Sequence, residues 1–299
     1  MHEHKHEHSS SNRIGWAFFL NVSFTIIEFI GGWLTNSTAI MADAVHDLGD
    51  SLSIGLAWFL NRLSNRQADG VFTYGYQRFS LLGALINGFV LIAGSVWVLS
   101  EALPRLFDPQ LPDAVGMLWL AILGVTVNGF AAYKLSHGKT LNERVLNWHL
   151  LEDVLGWVAV LVVAVTLLFV DWPILDPLLS IAFTLFILVN VVRNIVTAGS
   201  LLMQATPDKA LHSKVMEIFL AIHHVEEAHH VHLWSLDGES HVLTAHLRLD
   251  ESVSSEKLME MKTEIGGALD TFDFIHTTIE FEFPDESCRD GLQQLSDDK

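Results

Sequence analysis

The sequence predicts a membrane bundle of six transmembrane helices followed by a small soluble α+β domain of order α-β-β-α-β. Three observations predict it. The 299 residues are 50% hydrophobic and only 17% charged, against about 25% charged in an ordinary soluble domain. The deficit is local, because the first two thirds are poor in Lys, Arg, Asp and Glu while the last third has a soluble composition. Six apolar stretches also reach the roughly 20 residues that a bilayer crossing needs.

Taken in order, the stretches are 14–34, 39–60, 79–103, 115–135, 146–170 and 174–196. Gly31-Gly32 and Asn36-Ser37 mark a tight turn between the first two. Pro104, Pro109 and Pro112 break the chain after the third, and Asp171-Trp172-Pro173 turns it between the fifth and sixth. Lys and Arg gather in the N-terminal tail (Lys5, Arg13), in the second-to-third connection (Arg62, Arg66, Arg78) and in the fourth-to-fifth (Lys134, Lys139, Arg144), whereas the opposite connections hold only Arg105. The positive-inside rule then puts both termini in the cytoplasm, as six spans require, and implies a bacterial inner (plasma) membrane.

After Thr206-Pro207 the periodicity changes. Residues 208–224 read as an amphipathic helix, and 229–236 and 240–249 alternate around Asp237-Gly238 as a hairpin. Residues 254–269 read as a second helix capped by Ser254 or Ser255, and 276–283 as a third strand. The expected division is a His-rich tail at 1–13, a six-helix domain at 14–205, a cytoplasmic domain at 206–284 and a loose polar tail at 285–299.

Some classes are excluded early. The net charge of −18 and the lack of any Lys/Arg cluster argue against nucleic acid as a partner. One cysteine, Cys288, allows neither a disulfide framework nor a Cys-x-x-Cys zinc site. The start carries no signal-peptide pattern.

The anomaly lies inside the spans. Asp43, His46, Asp47 and Asp50 in the second span fall within one 100° arc of a helix. A charge at mid-membrane costs roughly 2.5–3.5 kcal/mol on the insertion scale. No base lies between Arg13 and Arg62, and the fifth span offers His149, Glu152 and Asp153 instead of one. A cation is the simplest compensation. His46 with Asp50 and His149 with Asp153, two i, i+4 pairs on two helices, supply a tetrahedral N₂O₂ set that zinc accepts. Cobalt, nickel, iron and cadmium-like ions suit imidazole as well, and the two histidines favour zinc over manganese or magnesium.

These residues resemble the cation diffusion facilitator family of proton-coupled zinc exporters. The likeness runs over nearly the whole chain, through Glu28-Phe29-Ile30-Gly31-Gly32, the run from Ala42 to Asp50, Tyr74-Gly75-Tyr76-Gln77-Arg78, His149-Leu150-Leu151-Glu152-Asp153 and His232-Leu233-Trp234. It implies a zinc/proton antiporter that exports zinc from the cytoplasm by alternating access. It also implies a homodimer with His46, Asp50, His149 and Asp153 as the transport ligands of each protomer. Asp43 and Asp47 would stand beside that site or on its entry path.

The resemblance further implies zinc in the cytoplasmic metal-binding and dimerisation domain, at His232, His246, His276 and Glu282, with His230, His241 and Cys288 as weaker matches. Arg78 would pair with an acid just after the sixth span, here Asp208. The second-to-third connection has no histidine, so the further metal site of some relatives is not expected. The tract His2, His4, His6 and His8 would collect zinc loosely near the entrance.

Other readings are a broader exporter of cadmium, cobalt, nickel or iron, a membrane metalloenzyme, and a metal sensor. An enzyme needs an open coordination position and a base, but Glu152 sits about 100° around the helix from Asp153. A sensor needs an output domain, and the sequence contains none.

Overall fold

The structure is a computed structural model that describes the backbone of residues 4–64, 66, 68–135 and 141–290, with side chains of 4–18, 20, 57–58, 61–62, 64, 134–135 and 141–149 outside the described residues. Six long helices come first: α1 (His4–Thr35), α2 (Thr38–Ser64), α3 (Phe79–Ala102), α4 (Ala114–Leu135), α5 (Leu141–Phe169) and α6 (Leu175–Leu202). Then follow α7 (Lys209–Ala221), β1 (Val225–Ser235), β2 (His241–Leu249), α8 (Ser255–Leu269) and β3 (Phe274–Glu282). The chain forms two compact units, one of residues 1–60 and 83–195, the other of residues 61–82 and 196–299.

In the first unit, α3 to α6 each hold a stretch long and apolar enough to cross a membrane. The acids Asp43, Asp47 and Asp50 set α2 apart. The exposed surface is apolar, with Trp33, Phe169 and Phe130 outward, the inverse of a soluble bundle and the pattern a lipid solvent requires. The core joins α2, α4 and α5 through Ala39, Ile40, Met117, Ala121, Trp157 and Ala164. Gly124 makes this approach possible, since a Cβ there would lie 2.1 Å from the Trp157 ring. Helix α1 begins at His4, well before the apolar stretch, because an established helix propagates at little cost.

The N-terminal end of α2 is fixed by α6. Asp176 is buried and accepts hydrogen bonds from Ser37 Oγ (2.5 Å), Thr38 N (2.7 Å), Thr38 Oγ1 (2.8 Å) and Ala39 N (3.3 Å). Ser180 Oγ donates to Thr38 O at 2.9 Å. A carboxylate from another helix thus satisfies the free N–H groups of α2 and meets the positive end of its dipole.

In the second unit β2 is central, antiparallel to β1 and parallel to β3. Helices α7 and α8 cover one face, burying Val215, Phe219, Leu243, Leu247, Met261 and Ile265. Asp208 caps α7 by accepting from Ala210 N, and Ser254 caps α8 by accepting from Lys257 N. Asp208 is therefore a helix cap within one chain, and no ion pair with Arg78 forms there among the described residues. The hairpin turns at Gly238, whose φ of 103° suits glycine.

The α2–α3 connection folds with this unit. Asp69 accepts from Phe72 N, Val71 N and Tyr76 Oη, which holds its carboxyl below the usual carboxylate range. Tyr74 lies edge-on to His276 at 5.2 Å and to Trp234 at 6.3 Å.

Candidate metal centres

The first centre is built by α2. The i, i+4 spacing sets His46 Nδ1 3.1 Å from Asp50 Oδ2, with both side chains 27% exposed. Asp47 joins them, the three offering ligand atoms within 4.8 Å of one another. Across from them α5 brings Asp153. A cavity of about 60 Å³ is lined by Asp43, His46, Glu152, Asp153 and Gly156, and closed by Phe183, Phe186 and Ile187 of α6. At Gly156 the two helices are in ordinary van der Waals contact, a Cβ there standing 3.5 Å from Asp43 Oδ1. Three of the four expected transport ligands, His46, Asp50 and Asp153, thus belong to α2 and the facing turn of α5. The fourth, His149, sits one turn before Asp153 on α5, and its side chain lies outside the described residues, as do those of His2, His4, His6 and His8.

The second centre lies on the face of the sheet away from the helices. His246 Nδ1 is 2.8 Å from Glu282 Oε1, His229 Nε2 is 3.2 Å from Glu282 Oε2, and Cys288 Sγ is 3.6 Å from His246 Nδ1. Around a tetrahedral zinc, ligand–ligand edges are about 3.3 Å for N and O donors and about 3.6 Å where sulfur takes part, given bonds of about 2.0–2.1 and 2.3 Å. Both ring nitrogens of His229 are buried without a hydrogen bond, which a metal would relieve at one of them. The donor set of two imidazoles, a carboxylate and a thiol fits zinc. Burial pushes Glu282 upward, but hydrogen bonds with Cys288 and His246 prevail and hold it below its ordinary range. Burial, with Glu282 beside it, pushes the Cys288 thiol up. A metal would reverse that, because only the thiolate ligates.

Of the expected soluble-domain ligands, His246 and Glu282 meet here, whereas His232 and His276 do not. His276 pairs with Val242, four residues from His246, or about 13 Å along the strand, and it packs on Tyr74. His232 pairs with Thr244, two residues short of His246. His229 takes the place through a bulge between His229 and His232, where His230 adopts a positive φ of 47°. An unbroken hairpin would have set His230 opposite His246, so counting from the turn misses His229. Cys288 comes from the segment after β3 and was among the weaker matches of the resemblance.

A third cluster sets His224 Nδ1 3.2 Å from Asp250 Oδ1 and 3.1 Å from Glu251 Oε1, with both carboxylates exposed, just before β1.

A histidine–carboxylate site inside a helical membrane bundle, joined to a ligand-rich soluble fold, defines a metal-cation transporter of the membrane and not an enzyme. Residues 16–203 match the profile of the cation efflux transmembrane domain, and residues 207–283 match that of the cation efflux protein cytoplasmic domain. The chain belongs to the cation efflux family. It is 32% identical over 294 residues to a protein of Pectobacterium atrosepticum named zinc transporter ZitB, covering 97% of this chain and 90% of that one. It is 30% identical over 287 residues to a cadmium, cobalt and zinc/H(+)-K(+) antiporter of Bacillus subtilis, covering 93% and 91%. It is 30% identical over 298 residues to the metal cation efflux system protein CzcD of Cupriavidus metallidurans, covering 99% and 94%.

Proposed function

We propose that the chain exports zinc from the cytoplasm in exchange for protons, with His46, Asp50, His149 and Asp153 as the transport ligands. The observation that carries this reading is the cavity shared by His46 of α2 and Asp153 of α5. Two helices each contribute half of a site, so a change in their relative position opens it to one side or the other, the logic of alternating access. Metal and protons compete for the same ligands. Imidazole titrates near pH 6.5, so protons from an acidic exterior displace zinc and return inward on the empty carrier. The relative names support metal efflux, and one of them supports proton exchange.

The distribution of Lys and Arg supports cytoplasmic termini in a bacterial inner membrane. The match to the cytoplasmic dimerisation domain supports a homodimer. The His229, His246, Glu282 and Cys288 cluster then holds a resident zinc on the cytoplasmic side. Reconstituted vesicles test the transport reading. Zinc added on the cytoplasmic face should drive proton release there only across a pH-competent membrane, with cadmium and cobalt weaker. Zinc uptake indifferent to the pH gradient would refute the exchange.

A further inference from the structure

Strand β1 is entered through a tight turn. Val225 N donates to Ile222 O at 3.2 Å, so Ile222, His223, His224 and Val225 form a β-turn. His224, its third residue, adopts a φ of 73°. That backbone conformation ordinarily takes glycine or asparagine, and here it takes histidine. The turn is anchored on both sides. Ile222 and Leu249 are buried in the core of the unit, and Asp250 N donates to His224 O at 3.1 Å. The backbone therefore holds the end of β2 against the turn, and the side chains follow it.

His224 is 14% exposed, and its ring lies edge-on to His223 with centroids 3.9 Å apart. Asp250 Oδ1 and Glu251 Oε1 both approach its Nδ1, and the three atoms lie within 4.8 Å of one another. Successive residues of a strand point to opposite faces. Strand β2 ends at Leu249, which lets the two neighbouring carboxylates turn to the same nitrogen. Among the described residues no Lys or Arg pairs with either acid. The separations of 3.2 and 3.1 Å are close to the edge of about 3.3 Å between N and O donors around a tetrahedral zinc.

We propose that His224, Asp250 and Glu251 hold a divalent metal cation of the borderline class to which zinc belongs, at a site separate from the His229, His246, Glu282 and Cys288 cluster. Asp250 is four residues from His246, about 13 Å along the strand direction, so one ion cannot serve both. The imidazole selects against magnesium and calcium, which take oxygen throughout. Three donors with exposed carboxylates leave the rest of the shell to water, whereas the other cluster supplies four donors and encloses its ion. The ion at His224 exchanges with its surroundings. This binding does not depend on the transport reading.

Equilibrium dialysis of the purified full-length chain in detergent tests the site. The probe is Zn²⁺ at rising free concentration, with excess Mg²⁺ throughout to fill any position that needs only charge. The wild type should take up one equivalent that His224→Gly and Asp250→Asn both lose. Glycine accepts a positive φ, so His224→Gly removes the ligand without disturbing the turn. Asp250→Asn keeps the shape of the carboxylate without its charge. The same equivalent should persist in His229→Ala and should need at least about tenfold more free zinc to fill than the four-donor cluster. Wild-type stoichiometry in both variants overturns the site, since the three residues would then be a hydrogen-bonded cluster only. Disappearance of that equivalent in His229→Ala overturns it as well, by assigning the ion to the other cluster. Size exclusion verifies folding, and if one variant aggregates the other decides.

Discussion

The chain keeps metal ligands in two settings, and their differences divide their roles. In the membrane, His46 and Asp50 remain about a quarter exposed beside a cavity of about 60 Å³ walled by two phenylalanines and an isoleucine. The ligands come from two different helices, α2 and α5. In the soluble unit, buried His246 and Glu282 and half-buried His229 and Cys288 are drawn together by one sheet and the segment that follows it. The first arrangement is divided and can come apart; the second is closed, the form that structural zinc sites take. One suits an ion in transit and the other an ion that stays.

Five substitutions would break or sharpen that contrast, in order of effect. Asp153→Ala removes half of the α5 contribution and should abolish zinc-driven proton flux in vesicles, with the soluble zinc still bound. Wild-type flux would show that the cavity is not the path. His229→Ala should weaken zinc binding to the soluble unit by 10–100-fold or more, the scale expected for loss of a ligand or its support, while His232→Ala should leave it intact. Isothermal titration separates the two, and equal effects would mean that the bulge does not set the ligand. Gly124→Ala forces a methyl into the Trp157 ring and should cost about 1–3 kcal/mol, read as a lower melting temperature of the whole bundle with soluble zinc binding unchanged. Ser254→Ala removes the α8 cap and should cost about 1 kcal/mol, a shift in denaturant midpoint confined to the soluble unit.

The same contrast explains what the sequence revealed. A helix maps spacing onto space directly, so His46 and Asp50 could be paired from their four-residue separation alone, and an acid in an apolar stretch is conspicuous. Asp153 on a facing helix followed from the same rule. A sheet maps spacing onto space only through its register. One bulge, invisible in composition, replaced His230 with His229, and the parallel pairing of β3 carried His276 well away from His246. The alternation that identified the strands says which face a residue takes, not which rung. Cys288 lies beyond the last strand, where no periodicity guides a reading. Asp176 escaped notice for a related reason: Leu175-Asp176-Pro177 reads as an ordinary helix start, and only the tertiary packing reveals that its carboxylate serves the end of α2, 138 residues earlier.

That carboxylate makes α2 a lever with a known fulcrum. With Thr38 held by Asp176 and Ser180, a tilt of the helix displaces each residue in proportion to its distance from that end. His46 lies eight residues along, about 12 Å, and Leu60 twenty-two, about 33 Å, at 1.5 Å per residue. Motion at the far end therefore reaches His46 reduced to roughly a third: a 3 Å swing at Leu60 becomes a shift of about 1 Å at the ligand. That is half the length of a zinc–nitrogen bond, enough to loosen a coordination shell while leaving the bundle around it packed.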